Sequence, residues 1–425
     1  TNMILTKDYL TYNEGAFIKD KIIIPIKNIS LIELEKNILY RIFRIRKIKI
    51  DSLSTTKNTE IIMILKVNDL KKLYDQLSIR IKELIHDESH NIDKLLQYKT
   101  SALDLLLLST LRNNIILGIG LLYSCIHFMN YIYSGINEDL KRVFINIIKE
   151  NIISKSTILA LILSITLFFA IMLLILMMFS IIAILFKYYK FRIYRKNNYL
   201  KVEYGFLTRR SYSLAVKNIH AIKIEQNLLT QLLDLRTIKC AVVGYGDSVN
   251  EDEVIFPLCN KKIFNEFLID IIPEFQYEGE VYKPGFSQLT RFYTIPVGTA
   301  IFICIIISII WKDLWIIHLF IPIIILDRTF WYKNTELGFN NNLYYISYKG
   351  FNRRRLIIRR KSVEQIEMLS NPLQRRKNVC TYRLKFYSQK RSNIIRVKHL
   401  NKFIYDKILE SINIEEKIEN KIINE

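Results

Sequence analysis

The stretch YLKVEYGFLTRRSYSLAVKNIHAIKIEQNLL, residues 199–229, sets the fold class. Leu200, Val202 and Tyr204 alternate with Lys201 and Glu203, the period-two pattern of a half-buried strand. Gly205 follows, where a hairpin turn needs positive φ. A second strand is expected over Leu214–Val216 and a third apolar stretch around Ile219. Asn227, Leu229 and Gln231 then spell a short Asn-x-Leu-x-Gln motif.

The same landmarks recur twice more. Leu10 and Tyr12 precede Gly15, and Tyr344, Ile346 and Tyr348 precede Gly350. Ile22–Ile24 and Leu356–Ile358 supply second strands. Asn37-Leu39-Arg41 and Asn371-Leu373-Arg375 repeat the motif. The glycine-to-asparagine distance is 22, 22 and 21 residues. Each repeat closes with a strand running into an amphipathic helix, with Asp69, Asn260 and Asn401 where an N-cap would accept the free amide protons of the first turn. Several strands and one C-terminal helix in each segment predict a small β-barrel plugged at one end by a helix.

Apolar runs separate the repeats. No charge lies between Arg112 and Glu138, nor from Ser156 to Phe186, nor from Phe292 to Trp311. A fourth run starts at Leu314 and reaches Asp327 and Arg328 after 13 uncharged residues. About 20 apolar residues cross a bilayer as a helix, so these read as two transmembrane hairpins, the fourth span completed by snorkelling at its charged end. Lys187, Lys190, Arg192, Arg195 and Lys196 follow the second span and Arg328 and Lys333 end the fourth, which places the three repeats in the cytoplasm. The formal net charge of +22 follows the same bias, and nucleic acid is not an expected partner.

The fold class read from the chain is thus membrane α+β: transmembrane helical hairpins alternating with three β-barrel units, each with a C-terminal helix. The expected boundaries are a first unit at 1–85, a connector with an interfacial helix at 86–112, a hairpin at 113–186, a second unit at 188–275, a hairpin at 290–333, a third unit at 335–413 and a tail at 414–425. Thr1 opens the chain without a basic-then-apolar leader, so it is expected to begin inside a longer chain. Five scattered cysteines without a CxxC pair fit a reducing compartment.

This order resembles the bacterial PH-domain membrane proteins of the YdbS/YdbT type. Tyr204-Gly205-Phe206-Leu207-Thr208-Arg209, Ile219 through Leu229, Leu232 to Leu235, Tyr348-Lys349-Gly350-Phe351, Asn371-Pro372-Leu373 and Ala102-Leu103-Asp104-Leu105-Leu106-Leu107 carry the resemblance, which covers nearly the whole chain. It implies pleckstrin-homology (PH) units, a multi-pass location in the cell membrane, a setting in cell-envelope maintenance, and a smaller membrane protein of the same family among the partners. It implies no reaction. The chain departs from the family at the front, where no span hairpin precedes the first unit.

Chemical motifs are scarce. His86 and His90 have helical i,i+4 spacing without a third ligand, Gly244-Tyr245-Gly246-Asp247 precedes no helix pattern, and His127 and His318 lie in apolar runs. No catalytic residue, metal site or cofactor is expected, and the chain reads as a non-enzyme. Asp327-Arg328 reads as a span-end marker. The densest charge is Arg353, Arg354, Arg355, Arg359, Arg360 and Lys361, expected on two neighbouring strands with at least three side chains on a solvent-facing rim. Two readings of it stay open: contact with anionic membrane lipids or protein partners, and plain cytoplasmic charge bias. The function expected is a membrane-anchored scaffold. The alternative is a transporter or channel component with regulatory units, disfavoured by the lack of mid-span charge.

Overall fold

The structure, a computed structural model, describes residues 2–6, 8–14, 20–25, 29–52, 61–70, 96–111, 171–172, 175, 178–242, 253–310, 318, 320–388 and 391–411. It divides into two compact units, Ser101–Tyr189 and the remainder, Thr1–Thr100 with Lys190–Glu425. The smaller unit contains helix Ala102–Leu111, and there the Ser101 hydroxyl accepts from the Asp104 amide at 3.1 Å while the Asp104 carboxylate accepts from the Ser101 amide at 3.2 Å. That reciprocal box satisfies two amides at the helix start. A second apolar helix there is Met178–Lys187. The rest of the hairpin expected at 113–186 lies outside the described residues, as do His86, His90, His127 and the Gly244 turn.

The larger unit carries twenty strands among the described residues. They are β1 (Asn2–Leu5), β2 (Tyr9–Glu14), β3 (Asp20–Pro25), β4 (Ile29–Lys36), β5 (Ile45–Ser52), β6 (Ile61–Lys66), β7 (Gln97–Lys99), β8 (Arg192–Lys196), β9 (Tyr199–Tyr204), β10 (Arg209–Ala215), β11 (Ile219–Gln226), β12 (Leu235–Val242), β13 (Glu253–Asn260), β14 (Val281–Tyr282), β15 (Glu336–Phe339), β16 (Leu343–Tyr348), β17 (Arg353–Arg359), β18 (Val363–Leu369), β19 (Val379–Ser388) and β20 (Arg391–Asn401). The alternation at Leu200, Val202 and Tyr204, and at Tyr344 and Ile346, buries those side chains as expected. Strands β1, β8 and β15 open the three segments ahead of the expected first strand. In β8 the basic run hid them: Arg192 and Arg195 flank Ile193 and Tyr194, which are fully buried.

Within the first segment, Leu10, Tyr12 and Ile24 from β2 and β3 pack on Ile32, Ile48, Ile50 and Ile61 from β4–β6, and Leu70 of the helix at 67–70 closes the cluster. Two half-sheets thus face each other across one core, each burying the side of its strands that alternation assigns to it. The half-sheets do not stop at the segment. Sheet order is β1-β2-β3, then β6-β5-β4-β10-β9-β8-β7, then β13-β12-β11-β17-β16-β15-β14, then β18-β19-β20. The C-terminal half-sheet of each segment is therefore continuous with the N-terminal half-sheet of the next.

Among the described residues one helix is long and apolar enough to cross a membrane, Phe286–Ile310. Its 25 residues span about 37 Å at 1.5 Å per residue. Helix Phe320–Asn334 packs on it through a 2.8 Å contact between the Tyr293 and Thr329 hydroxyls and the Phe292–Tyr332 ring pair. Of the expected span at 314–333, helix Phe320–Asn334 covers the described part, while residues 311–317 and 319 lie outside the description.

The expected closing caps hold at one place in three. Asn260 caps helix Lys261–Asp270 and accepts from the Ile263 amide at 2.9 Å. Asp69 instead lies inside the helix at 67–70. Asn401 ends β20, and Gln288 donates to its side chain at 3.4 Å.

Candidate interaction surface

Asn37, Asn227 and Asn371 each cap a single helical turn between the fourth and fifth main strands of a segment. They accept from the amides of Ile38 at 2.6 Å, Thr230 at 2.8 Å and Gln374 at 2.7 Å. At Asn371 the Gln374 side chain returns a bond to the cap amide, completing a capping box. Seven residues beyond each asparagine the chain turns through positive φ, at Arg44, Asp234 and Asn378. A register shift also recurs, between Ile29 and Leu31, Ile219 and Ala221, and Val363 and Gln365.

Counted from these asparagines, the two joints between segments are the same joint. Lys36 pairs with Arg209 and Leu31 with Leu214, while Gln226 pairs with Arg353 and Ala221 with Ile358. In both, the residue one before an asparagine meets the residue eighteen before the next, the first of six pairs in step. Since a one-residue slip would turn every apolar side chain to the wrong face, the shared register reflects shared burial.

The basic cluster belongs to the second of these joints. Arg353, Arg354, Arg355 and Arg359 all lie on β17, and Arg360 and Lys361 lie in the 3-10 turn after it, not on two strands. Arg353 donates to Ser347 Oγ at 3.1 Å and to Glu336 at 3.4 Å. Arg354 faces Glu225 of β11 at 3.7 Å, and Arg355 donates to Gln226 beside it. Arg359 donates to the Val216 carbonyl at 3.0 Å and lies over the Phe275 ring. Arg360 donates to Ser411 at 3.4 Å. Only Arg354 and Lys361 are exposed, so the expected rim of three is not formed. The physical reason is the joint itself: its central strand cannot bury guanidinium groups unpaired, and the neighbouring segment supplies carboxylate, amide and carbonyl partners. His220, in the recurring register shift on β11, is held neutral beside this charge. Burial first, then Arg359 and Lys361, push its imidazole down to about 4.

A second knot ties the joint to helix Phe320–Asn334. Gln231 donates to the Gly350 carbonyl at 3.0 Å and the Phe351 carbonyl at 2.8 Å, and Asn334 donates to Gln231 Oε1 at 3.0 Å. Asp327 accepts from the Phe351 amide at 2.9 Å and lies 3.5 Å from Arg328. Asp327, inside helix Phe320–Asn334, thus pins the β16–β17 turn. Glycine serves two different needs in these turns. Gly205 takes φ +111°, as expected. At the other turn Lys349 carries the positive φ, and Gly350 is required because a Cβ there would lie 2.3 Å from the Asp327 carbonyl oxygen. Gly15 lies outside the described residues.

Sequence reading missed Gln226, Gln231, Asn334 and Glu336 as joint residues. The signal available for Gln231 was its fixed place in the repeated motif. Glu336 is buried, pairs with Lys283 at 3.1 Å, and accepts from the Tyr345 hydroxyl at 3.0 Å. Burial first, then the Glu336 carboxylate, pushes that hydroxyl's pKa up and keeps it a donor.

Residues 1–81 and 154–272 match the sequence model of the family described as Bacterial PH domain. These two segments are similar to bacterial PH domains. The first match contains β1–β6 and the second β8–β13. The transmembrane protein YdbT of Bacillus subtilis (strain 168) is 22% identical over 395 residues, covering 88% of this chain and 77% of that one. The chain is thus similar to bacterial PH domains over two segments, and to a transmembrane protein over most of its length. Among the described residues no group of three or more His, Cys, Asp or Glu could hold a metal ion.

Proposed function

We propose that the protein is a non-enzymatic membrane-anchored scaffold, with three PH-like units on the cytoplasmic side of a multi-pass anchor. One observation carries this reading: successive segments share strands in the same register, at β4–β10 and at β11–β17. Six-pair ladders across each joint merge a half-sheet of one segment with a half-sheet of the next, so consecutive units are tied to one another through backbone hydrogen bonds. The domain limits proposed are those of the repeat, with units at 1–85, 188–275 and 335–413. The surface for protein partners is the outer edge of β18, which pairs with no further strand among the described residues and so suits strand addition. Lipid contact through the basic cluster is the weaker reading, because its arginines are spent inside the joint and two exposed charges supply only about 1 kcal/mol each near an anionic surface.

The test is a photoreactive residue at Gln365, exposed on β18, in the full chain in its native membrane. A discrete protein adduct is expected. Adducts to lipid alone would overturn the scaffold reading. Labelling of a cysteine at Lys361 from outside intact cells would overturn the cytoplasmic placement.

A further inference from the structure

The joint used twice inside the chain has two unmatched halves. Its acceptor strand is β4 in the first segment, β11 in the second and β18 in the third. Its donor strand is β3, β10 and β17. β4 takes β10 and β11 takes β17. Among the described residues β18 and β3 form only their hairpin pairs, with β19 and β2, and end their sheets. In every other segment the corresponding strand is central, so these two edges differ from the ordinary edges β6, β13 and β20.

The side chains fit this unfinished state. Five residues before the repeated asparagines stand Ile32, Ile222 and Ile366. Fourteen before them stand Ile23, Ser213 and Ile357. The joints pair Ile32 with Ser213 and Ile222 with Ile357, and all four are at most 5% exposed. The remaining members are Ile366, only partly buried, and Ile23, which is 53% exposed. An open strand edge with an outward isoleucine is a liability unless something covers it. Pro25, which cannot donate to a ladder, stands at the position of Ala215 and Arg359, just beyond the last pair of both joints, so it does not block the pairing.

We propose that β18 of one copy pairs antiparallel with β3 of a second copy, in the register of the internal joints, so that Ile366 meets Ile23 and Met368 meets Lys21. Continuity with the established joints argues for this occupant: among the described residues the third segment leaves the acceptor half, and the first segment the donor half, of the same contact unmatched. Such a contact is head-to-tail and joins copies into a ring or an open row. The inference rests on the scaffold reading and names the partner of the same edge.

The experiment co-expresses two differently tagged full-length copies in the native membrane, one with Lys21→Cys and one with Met368→Cys, followed by mild oxidation. Facing strand residues lie within disulfide reach, so a disulfide-linked pair carrying both tags is expected, in about tenfold excess over the off-register combination of Lys21→Cys with Gln365→Cys. Ile23→Cys with Ile366→Cys is a second matched pair, and each single variant expressed alone should give no linked dimer, because a head-to-tail contact never brings a strand onto its own copy. Equal yields from matched and off-register pairs, or dimers from one variant alone, would overturn the proposal. So would the failure of both matched pairs in protein that elutes like the parent. Failure alongside a protein adduct at Gln365 would leave the scaffold reading standing with a different partner.

Discussion

At the scale of single residues, small groups decide whether the joints close. Gly350 sits against backbone, the Asp327 carbonyl oxygen, which cannot swing aside as a side chain would. Gly350→Ala is therefore expected to cost about 1–3 kcal/mol, read as a lower midpoint in thermal unfolding of the purified protein. Asn371 satisfies its helix turn through a reciprocal box while Asn37 accepts only from its neighbour's amide. Asn371→Ala should lose about 1 kcal/mol or more, and Asn37→Ala less, by the same measurement. His399 packs edge-on to Phe292 and lies 3.2 Å from the Gln374 amide nitrogen, and burial first, then Lys398 and Arg291, push its imidazole down to about 4. With an unfolded value of about 6.5, the unfolded chain binds more protons as pH falls, so stability is lost as pH drops from about 6.5 toward 4. Unfolding midpoints at pH 7 and pH 5 should differ, and His399→Asn, which suits the positive φ there, should narrow the difference.

At the scale of elements, β17 is the instructive strand. Its arginines were legible as a charge cluster, and membrane proximity suggested a lipid-facing rim. Alternation alone could not reveal that another segment's strand lies alongside, bringing Glu225 and Gln226 against Arg354 and Arg355. The two kinds of basic residue should separate in stability measurements. Arg355→Ala leaves the buried Gln226 side chain short of a partner and should cost about 1–3 kcal/mol. Lys361→Ala, on an exposed residue of the turn, should change stability by no more than about 0.5 kcal/mol. The short helices after the asparagines were legible only as a motif. Their single turns carry too few residues for a helical period to emerge, and capping geometry becomes visible only once the backbone is in place.

At the scale of the whole molecule, the chain is organised by what each strand finds beside it. Hydrogen exchange on the purified protein held monomeric should find the amides of β11, covered on both sides, slower than the outward amides of β18. What the sequence alone determined is local: strands from period-two burial, turns at Gly205 and Gly350, apolar runs from their missing charge, and the threefold recurrence around Asn37, Asn227 and Asn371. These follow from nearest neighbours along the chain, where side-chain alternation and backbone freedom act. The tertiary structure alone decided that the repeats are fused, not strung, and that most of the densest positive charge is paired with groups of the fold. Strand pairing depends on which edge lies alongside, and the partners in each joint stand well over a hundred residues apart, as Gln226 does from Arg353. No pattern within either strand records that distance, because a backbone edge offers the same hydrogen bonds to any strand brought beside it.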